Sequence, residues 1–366
     1  MTNKPQFVGE RVKLGDVVAA VPGRNADLHC NAVYSVTNSQ GFVPSEEYFS
    51  KDVFSKDLKS YRVVKRNMIA YNPSRINVGS VALQDKEDEV VVSPLYVIFS
   101  TDERKVLPDY VVRFLKSKPG LDQIAFRSIG TVRNNLKFKA LCQMTIKLPS
   151  LEEQQSRLSN LRSIQNQIDR ANRQLAALDS LVKSRFVEMF GDPVSNPKKL
   201  RTRPGSALFK IGNGKTKPMS ERRETGYPAY GGNGVSWYSQ QSLTYSPTII
   251  IGRVGRHCGN TRLVNKPCWV TDNAMYIKQF RDNELNLIYL DELMQIVDFN
   301  RYADKGDLWK ITQRPFMEFN YPLPPLPLQQ EFADFVAQVD KSRFIAQQQI
   351  EKLQMLYDSL AQEYFE

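Results

Sequence analysis

One short run of the sequence, FKIGNGKT at residues 209–216, ends as a nucleotide-binding P-loop ends. A P-loop wraps phosphates with backbone amides and therefore needs a glycine five residues before the one that precedes the lysine. Counting back from Gly214, that position holds Phe209. The helix that should follow is interrupted by Pro218 and Pro228. The sequence argues against nucleotide binding here, so the glycines and lysines need another explanation.

The other residue types that could do chemistry form no recognisable site. The pairs His29-Cys30 and His257-Cys258, with Cys268, suggest zinc, but their spacings match no closed ligand set. We find no Asp/Asn-Pro-Pro-aromatic motif for adenine methylation and no glycine-rich cofactor loop after a strand. Two histidines, and no convincing cluster of carboxylates with lysine, leave little for acid–base or nuclease chemistry. We therefore expect no catalytic residue and no metal in this chain.

The composition indicates a globular protein of the cytoplasm. The 366 residues, of which 41% are hydrophobic, suffice for two or three domains with buried cores. No apolar run approaches the about 20 residues that cross a bilayer, and the N-terminus MTNKPQFVGE lacks the apolar core of a signal peptide. Four scattered cysteines form no disulfide framework in a chain of this length. We expect a cytoplasmic protein with no membrane partner.

The net charge of +11 is unevenly placed along the chain. Residues 329–366 contain three basic and seven acidic side chains, and residues 152–190 contain six basic and five acidic ones. The rest of the chain therefore carries about +14. Such a confined basic excess favours an anionic partner, and a polyanion is the first candidate, although solubility alone would also explain the charge.

An internal repeat organises the chain. Residues 148–190 align with residues 323–365 without a gap, at a shift of 175 residues. The identical pairs include Leu148/Leu323, Pro149/Pro324, Leu151/Leu326, Gln154/Gln329, Gln155/Gln330, Leu178/Leu353, Leu181/Leu356 and Phe190/Phe365. A weaker match upstream, at a shift of 180 residues, pairs Gly79 with Gly259. The sequence is thus one unit, a domain followed by a helical segment, written twice.

Each copy of the repeat has the spacing of a long amphipathic helix. Apolar residues recur in alternating steps of three and four, the a/d pattern of a coiled coil. They are Leu161, Ile164, Ile168, Ala171, Leu175, Leu178 and Val182 in the first copy, and Val336, Val339, Ala346, Ile350, Leu353, Tyr357 and Leu360 in the second, with Arg343 as the polar exception. Each helix would extend over about 37 residues, or about 55 Å. Because neither can bury its apolar stripe alone, we expect the two to pair antiparallel within the chain; a parallel coiled coil between two chains is the alternative.

The predicted fold class is α+β, with two strand-rich domains separated by a pair of long antiparallel helices and related by a pseudo-two-fold repeat. Short β-branched runs such as Val90–Val92 and Ile249–Ile251, between Gly, Pro and Asn residues, predict strands joined by long loops. The expected boundaries are residues 1–147 for the first domain, 148–191 for the first helix, 192–322 for the second domain and 323–366 for the second helix.

The residues resemble a known family. LPSLEEQQ and LDSLVKSRFVEMFGDP look like the central conserved region of specificity subunits of type I restriction–modification systems, and LPPLPLQQ resembles their distal conserved region. YPAYGGNGVSWY, TIIIGRVGRHCGN and PCWVTDNAMYI together look like one of their target-recognition domains. The resemblance covers essentially the whole chain, and the first domain is the more divergent part.

The resemblance implies a DNA-reading role in bacterial defence, without catalysis in this chain. Each recognition domain would read one half of a bipartite DNA site, and the helices would space the halves. Two adenine-N6 methyltransferase subunits, which would hold S-adenosylmethionine, would dock on the helices, and motor-nuclease (restriction) subunits would complete the enzyme. The helix residues named above would then serve pairing and partner docking. A divergent DNA methyltransferase or nuclease, and a coiled-coil scaffold unrelated to DNA, remain the alternatives.

Basic and polar residues of the loops are the candidate DNA contacts. Arg253 and Arg256 follow a buried-looking strand, and arginine can pair with guanine or clamp a phosphate; a salt bridge within the domain would explain Arg253 equally well. The other candidates, for which plain turns, caps or solvated surface are the alternatives, are Arg75, Asn77, Arg133, Asn134, Lys215, Lys217, Tyr230 and Asn233. We expect Trp309, like the two other tryptophans, to pack in the core or at its rim.

Overall fold

The computed structural model of the chain describes residues 9–48, 57–128, 135–245, 247–281 and 284–366. The chain divides into two compact units. Unit 1 comprises residues 1–171 with residues 348–366, and unit 2 comprises residues 172–347. Each unit mixes strands and helices and includes a part of each long helix, which confirms the predicted α+β class.

Unit 1 is built around a four-stranded sheet. Its strands are β1 (Glu10–Lys13), β2 (Val18–Ala20), β3 (Tyr34–Val36), β4 (Phe42–Pro44), β5 (Arg62–Lys65), β6 (Ile69–Tyr71), β7 (Val81–Leu83), β8 (Glu89–Val92), β9 (Val97–Thr101) and β10 (Thr145–Leu148). Its helices are α1 (Ser45–Tyr48), α2 (Pro108–Lys116), α3 (Lys118–Arg127), α4 (Phe138–Leu141) and the first half of α5 (Leu151–Phe190). The main sheet has the order β2-β9-β6-β7 with antiparallel neighbours, while β1 pairs with β10, β3 with β4 and β5 with β8.

Unit 2 is built around a second four-stranded sheet. Its strands are β11 (Thr202–Pro204), β12 (Phe209–Asn213), β13 (Tyr227–Gly231), β14 (Gly234–Ser239), β15 (Thr248–Gly252), β16 (Thr261–Val264), β17 (Trp269–Val270), β18 (Ala274–Phe280) and β19 (Asn320–Pro322). Its helices are α6 (Gly205–Leu208), α7 (Leu287–Val297), α8 (Arg314–Glu318) and the first half of α9 (Leu326–Phe365). The main sheet has the order β12-β18-β15-β16, and β13 pairs with β14 and β17. Every residue of β15 is buried, as its β-branched run of isoleucines predicts.

The two main sheets share one topology. In each, the strand that comes first in the chain lies at an edge beside the last one, and the two intervening strands complete the sheet. The two units also share a turn conformation, because the aligned glycines Gly79 and Gly259 have φ of 86° and 89°. Glycine adopts this left-handed conformation without steric cost. The weak upstream alignment is therefore structurally correct.

The long helices pair antiparallel within the chain. Helices α5 and α9 have 40 residues each. In unit 1 the beginning of α5 packs with the end of α9, and Leu158 shares a core with Phe365. In unit 2 the end of α5 packs with the beginning of α9, where the rings of Phe186 and Phe332 have centroids 5.4 Å apart. Each unit thus joins the beginning of one helix to the end of the other, as the sequence predicts.

The apolar positions assigned to helix pairing all lie on the packed side of the helices. The buried ones are Leu161, Ile164, Ile168, Val182, Val336 and Val339, and the half-buried ones are Leu175, Leu178, Ile350, Leu353, Tyr357 and Leu360. Arg343, the polar exception, is half-buried and forms ion pairs with Asp179 and Asp340, both at 2.7 Å. A role of these positions in partner docking stays a prediction.

A repeated glutamine joins each long helix to the unit that precedes it in the chain. Gln154 donates from Nε2 to the carbonyl oxygens of Lys105 and Pro149, both at 2.9 Å, and its Oε1 accepts from the amide of Leu107 at 2.9 Å. Both it and Gln329 are fully buried. Gln329 makes the same three bonds, to the Glu284 and Pro324 carbonyls and the Asn286 amide, at 3.0, 2.9 and 2.9 Å. Buried amides need this pairing because an unsatisfied one costs stability.

Candidate nucleic-acid interface

Three loops of unit 2 meet at one end of its main sheet. β12 and β15 end there and β18 begins there, because Asn213 pairs with Met275 and Gly252 with Ala274. The third loop is the tight turn of the β13–β14 hairpin, whose Gly232 lies against Gly252: a Cβ on Gly232 would be 3.3 Å from the Gly252 Cα. Antiparallel pairing and a close glycine contact thus gather residues that are far apart in the sequence.

The FKIGNGKT run forms part of this end of the sheet. Its first five residues are strand β12, and the chain then continues beside β17, where the Lys215 amide donates to the Val270 carbonyl at 2.8 Å. A Cβ on Gly214 would lie 1.9 Å from the carbonyl oxygen of Thr271. Gly214 is therefore required by close backbone packing, since no side chain fits there. Backbone packing therefore explains the glycine at position 214, and no bound phosphate is needed to explain it.

Three of the predicted basic residues are exposed at this end of the sheet: Lys215 after β12, and Arg253 and Arg256 after β15. Within the described part of unit 2, Arg253 has no ion pair, so the alternative of an internal salt bridge finds no support. Its backbone is held instead, because its amide donates to the Asn273 carbonyl and its carbonyl accepts from the Ile311 amide, both at 2.9 Å. The guanidinium is thus carried on a fixed backbone and remains available to a ligand.

The two polar hairpin candidates occupy different environments. Asn233 is exposed at the turn, next to the strand end at Gly231. Tyr230 is half-buried and lines a cavity of about 80 Å³ together with Arg262. Burial raises the pKa of the Tyr230 phenol, so the hydroxyl stays protonated and can donate a hydrogen bond.

Lys217 does not belong to this surface. It is buried, with its ammonium group 2.7 Å from a carboxylate oxygen of Glu221 and 4.5 Å from the ring centroid of Trp269. A buried lysine is stable only when paired, and this one already has an anion and an aromatic face. We therefore remove Lys217 from the candidate DNA contacts.

A further loop reaches the same end of the sheet and was missed from the sequence. Residues 304–310 cross the loop after β15: the Gly255 amide donates to the Trp309 carbonyl at 2.8 Å. Lys305 lies 4.9 Å from the centroid of the half-buried Trp309 ring, and Lys310 lines a cleft of about 360 Å³ with Arg253. The clustering of two lysines around a tryptophan was a usable signal, because basic and aromatic side chains together are typical of nucleic-acid surfaces.

Unit 1 places its candidates at the corresponding strand end. Arg75 and Asn77 are exposed in and beside a 3-10 helix, Ile76–Val78, that follows β6. β6 holds in its sheet the place that β15 holds in the other. The remaining two candidates of this unit, Arg133 and Asn134, lie outside the described residues.

A second cleft in unit 2, of about 700 Å³, is lined by the four carboxylates of Asp179, Asp291, Glu292 and Asp340. Asp291 is buried, and its Oδ2 accepts from the Leu263 amide at 3.0 Å. Burial raises the pKa of Asp291, and burial together with the neighbouring Asp291 raises the pKa of Glu292 to about 7. Lys183, Arg262 and Arg343 line the same cleft, so its charges are mixed.

The described residues contain neither a metal-binding cluster nor a membrane-spanning helix. No group of three or more His, Cys, Asp or Glu side chains within these residues is arranged to hold a metal ion. Within the same ranges, every helix is too short or too polar to cross a membrane.

Comparison with known proteins finds one family. The sequence model described as Type I restriction modification DNA specificity domain matches residues 10–179 and residues 198–355. A curated relative, the specificity subunit of the type I restriction enzyme EcoprrI from Escherichia coli, is 28% identical over 88 residues. That match covers 24% of this chain and 21% of the relative, so it spans about a fifth of the relative's length.

Solved structures with the same fold cover the full chain. The S subunit of a type I restriction-modification system from M. genitalium superposes with a TM-score of 0.57 at 15% identity, over 100% of this chain and 98% of that one. A chain from a study of complex assembly and conformational transition of the type I R-M system gives a TM-score of 0.53 at 16% identity, over 99% of both chains. At these identities the likeness concerns the fold. The two family matches together cover most of the sequence, and the chain therefore belongs to the family of type I restriction modification DNA specificity domains.

Proposed function

We propose that this chain is the DNA sequence-specificity subunit of a type I restriction–modification complex. The observation that carries the proposal is the exposure of Lys215, Arg253 and Arg256 at one end of the unit 2 sheet, in a chain of this family. The backbone around Arg253 is fixed by hydrogen bonds, so a DNA ligand would not need to order the loop. A basic surface on fixed loops is suited to a polyanion.

Each side chain has a distinct part in the proposed contact. Arg253 and Arg256 would pair with guanine edges or clamp phosphates, and Lys215 would bind a phosphate. Asn233 and Tyr230 would supply hydrogen bonds from the hairpin. Unit 1 offers different side chains at the corresponding strand end, where Arg75 and Asn77 stand. Two sheets of one topology with different loops would read two different half-sites.

The long helices would set the gap between the half-sites and carry the partner subunits. Each helix runs without interruption through the boundary between the units. A stiff connection would fix the separation of the half-sites, as the geometry of any dimeric reader does. Two adenine-N6 methyltransferase subunits holding S-adenosylmethionine would dock on the helices, and restriction subunits would join them in the cytoplasm. The chain itself would then need no catalytic residue.

The experiment is to co-express the chain with its methyltransferase subunit and to map adenine methylation across a genome. We expect one bipartite motif with a fixed gap, and salt-sensitive binding that prefers that motif to shuffled duplexes. Methyl transfer or DNA cleavage by the purified chain alone would favour the enzyme alternative. Equal binding to motif and shuffled duplexes would favour a scaffold unrelated to DNA.

Arginine variants test the assigned surface. Arg253→Ala and Arg256→Ala should each weaken binding to the bipartite duplex by about 5- to 150-fold, roughly 1–3 kcal/mol, and relax the half-site read by unit 2 alone. Competition assays with single-base variants of each half-site measure both effects. Arg281→Ala and Lys210→Ala are matched controls, because both residues are exposed at the opposite end of the same sheet. An equal loss in the controls would contradict the assignment.

A further inference from the structure

One cavity of unit 2 combines a charged side chain with a wall of glycine backbone. It lies between the turn of the β13–β14 hairpin and strand β16, and its volume is about 80 Å³. Arg262 lines it together with Tyr230, Asn233, Asn260 and four glycines. Asp and Glu are absent from the described residues that line it. Since the guanidinium, the phenol and the side-chain amides can all donate hydrogen bonds, the cavity is suited to an anion.

The guanidinium of Arg262 lies at the hairpin. A Cβ on Gly234 would be 3.1 Å from its Nη1. Side chains alternate along a strand, and Val264, two residues further on, packs in one core cluster with Tyr230 of the hairpin. Arg262 also lines the cleft of about 700 Å³, yet within the described residues it forms no ion pair. Its charge is therefore available to a ligand in the cavity.

The equivalent place in unit 1 is built without this charge. Arg262 pairs with Ile250 between β16 and β15, and at the shift of 180 residues the equivalent pair is Ala82 with Ala70, between β7 and β6. A hairpin glycine lies against this position too, because a Cβ on Gly41 would be 3.5 Å from the Cβ of Ala82. The same backbone arrangement thus carries a methyl group in one unit and a guanidinium in the other. The fold itself does not require the arginine.

The size of the cavity selects among the parts of a nucleic acid. A water molecule takes up about 30 Å³ in the liquid, so the cavity holds a compact group of a few heavy atoms and is too small for a nucleobase. Glycine backbone lets such a group approach closely, and an arginine fork matches phosphate oxygens. Gly252 lines the cavity and Arg253 follows it in the chain, so the cavity lies beside the proposed DNA surface.

We propose that this cavity binds one phosphate group of the DNA backbone and that Arg262 clamps it. The inference rests on the proposed function for the DNA, and it adds a contact residue and a site to that function. Because Ala82 cannot make this contact, the half-site read by unit 2 would be held by a phosphate contact that the other half-site lacks. Phosphate contacts fix the register of a protein on the duplex, so Arg262 is a positioning residue.

A methylphosphonate scan tests the proposal on the full chain co-expressed with its methyltransferase subunit. Each duplex carries the bipartite motif and one methylphosphonate, which is a neutral replacement for a single phosphate. Arg262→Ala should bind the unmodified duplex about tenfold more weakly than the unaltered chain does. One of the positions in the unit 2 half-site that weaken binding by the unaltered chain should cost nothing more in Arg262→Ala, because its contact is already lost.

Two further variants separate a phosphate clamp from a general effect of charge. Lys266→Ala is the matched control, because Lys266 is exposed beyond the opposite end of β16, and it should leave the methylphosphonate pattern unchanged. The loss caused by Arg262→Ala should be about 3.5-fold larger at 50 mM than at 200 mM salt, as expected for one phosphate contact. Arg262→Lys keeps the charge and should retain the salt dependence of the unaltered chain.

The remaining outcomes would overturn the proposal. If every methylphosphonate costs the same in Arg262→Ala as in the unaltered chain, Arg262 clamps no phosphate. Coupling of Arg262 to one base pair, measured with single-base variants, would make it a base contact outside the cavity. The same change of pattern in Lys266→Ala would reduce the effect to overall charge. Each of these results leaves the proposed function standing, whereas a chain that binds no bipartite duplex would remove both.

Discussion

Two adjacent acids in unit 2 show how burial changes side-chain chemistry. Asp291 is buried, and Glu292 beside it on α7 is half-buried. The pKa of Glu292 rises to about 7 because burial disfavours its charged form, and Asp291 adds repulsion. Arg343 offsets this only in part. The carboxyl group therefore titrates near neutral pH, where an exposed glutamate is fully ionised.

The first prediction concerns the pH dependence of stability. Between pH 4.5 and about 7 the folded state holds a proton on Glu292 that the unfolded state has released. Raising the pH through this window therefore lowers the free energy of unfolding, by about 1–2 kcal/mol for a half-buried group. Glu292→Gln should remove this loss and be the more stable protein above pH 7.

Chemical denaturation at pH 5, 6, 7 and 8 measures the difference between the two proteins. Glu224→Gln, at an exposed position of the same unit, is the control and should follow the unaltered chain. Parallel stability curves for the chain and Glu292→Gln would contradict the prediction.

At the residue level the sequence predicted part of the candidate site. It singled out Lys215, Arg253 and Arg256, since lysines and arginines beside glycines in loops favour exposed positions. It failed at Lys217, because no local pattern shows that its ammonium group would meet Glu221 and the ring of Trp269. The pairing with Trp269 depends on a strand about fifty residues further along the chain.

At the level of elements, the repeat was the strongest signal. The a/d spacing and the shared LP turn predicted both long helices, their antiparallel pairing and the register that Gln154 and Gln329 share. The loop containing Trp309 was not placed, because its contact with Gly255 depends on how two loops cross at the end of a sheet. Periodicity reports which face of an element is buried, but it carries no information on which loops meet.

The second prediction concerns the glutamine that joins α5 to unit 1. Gln154→Leu should lower the free energy of unfolding by about 2–4 kcal/mol, because it removes three hydrogen bonds and leaves the Leu107 amide and the Lys105 and Pro149 carbonyls without this partner. Gln329→Leu should cost a similar amount in unit 2. Urea denaturation measures both.

The neighbouring Gln155 is exposed and serves as the control. Gln155→Leu should stay within about 0.5 kcal/mol of the unaltered chain. A loss for Gln154→Leu no larger than that of the control would mean that the three bonds contribute nothing net.

For the molecule as a whole, charge is separated by region. The chain carries +11, while the segment 329–366, which contains most of α9, holds seven acidic and three basic side chains. The basic excess therefore lies in the rest of the molecule, where the exposed Lys215, Arg253 and Arg256 stand. The electrostatic attraction of DNA should therefore come from basic residues outside the segment 329–366.

The third prediction is a salt dependence. The logarithm of the DNA-binding constant should fall linearly with the logarithm of salt concentration, by about 0.9 per phosphate contact. Lys215→Ala should make this slope shallower by about 0.9 for every sequence tested, and Lys210→Ala should not change it. Titrations at several salt concentrations decide the matter; equal slopes for the two variants would exclude Lys215 as a phosphate contact.

The division of the chain into units also determines the order in which the two units are completed during synthesis. Unit 2 is one continuous segment, whereas the core of unit 1 includes Phe365, whose ring lies 5.0 Å from that of Tyr110. A ribosome therefore completes all of unit 2 before it synthesises residues 348–366, the last part of unit 1. Until then the apolar surface around Tyr110 lacks the cover that Phe365 provides.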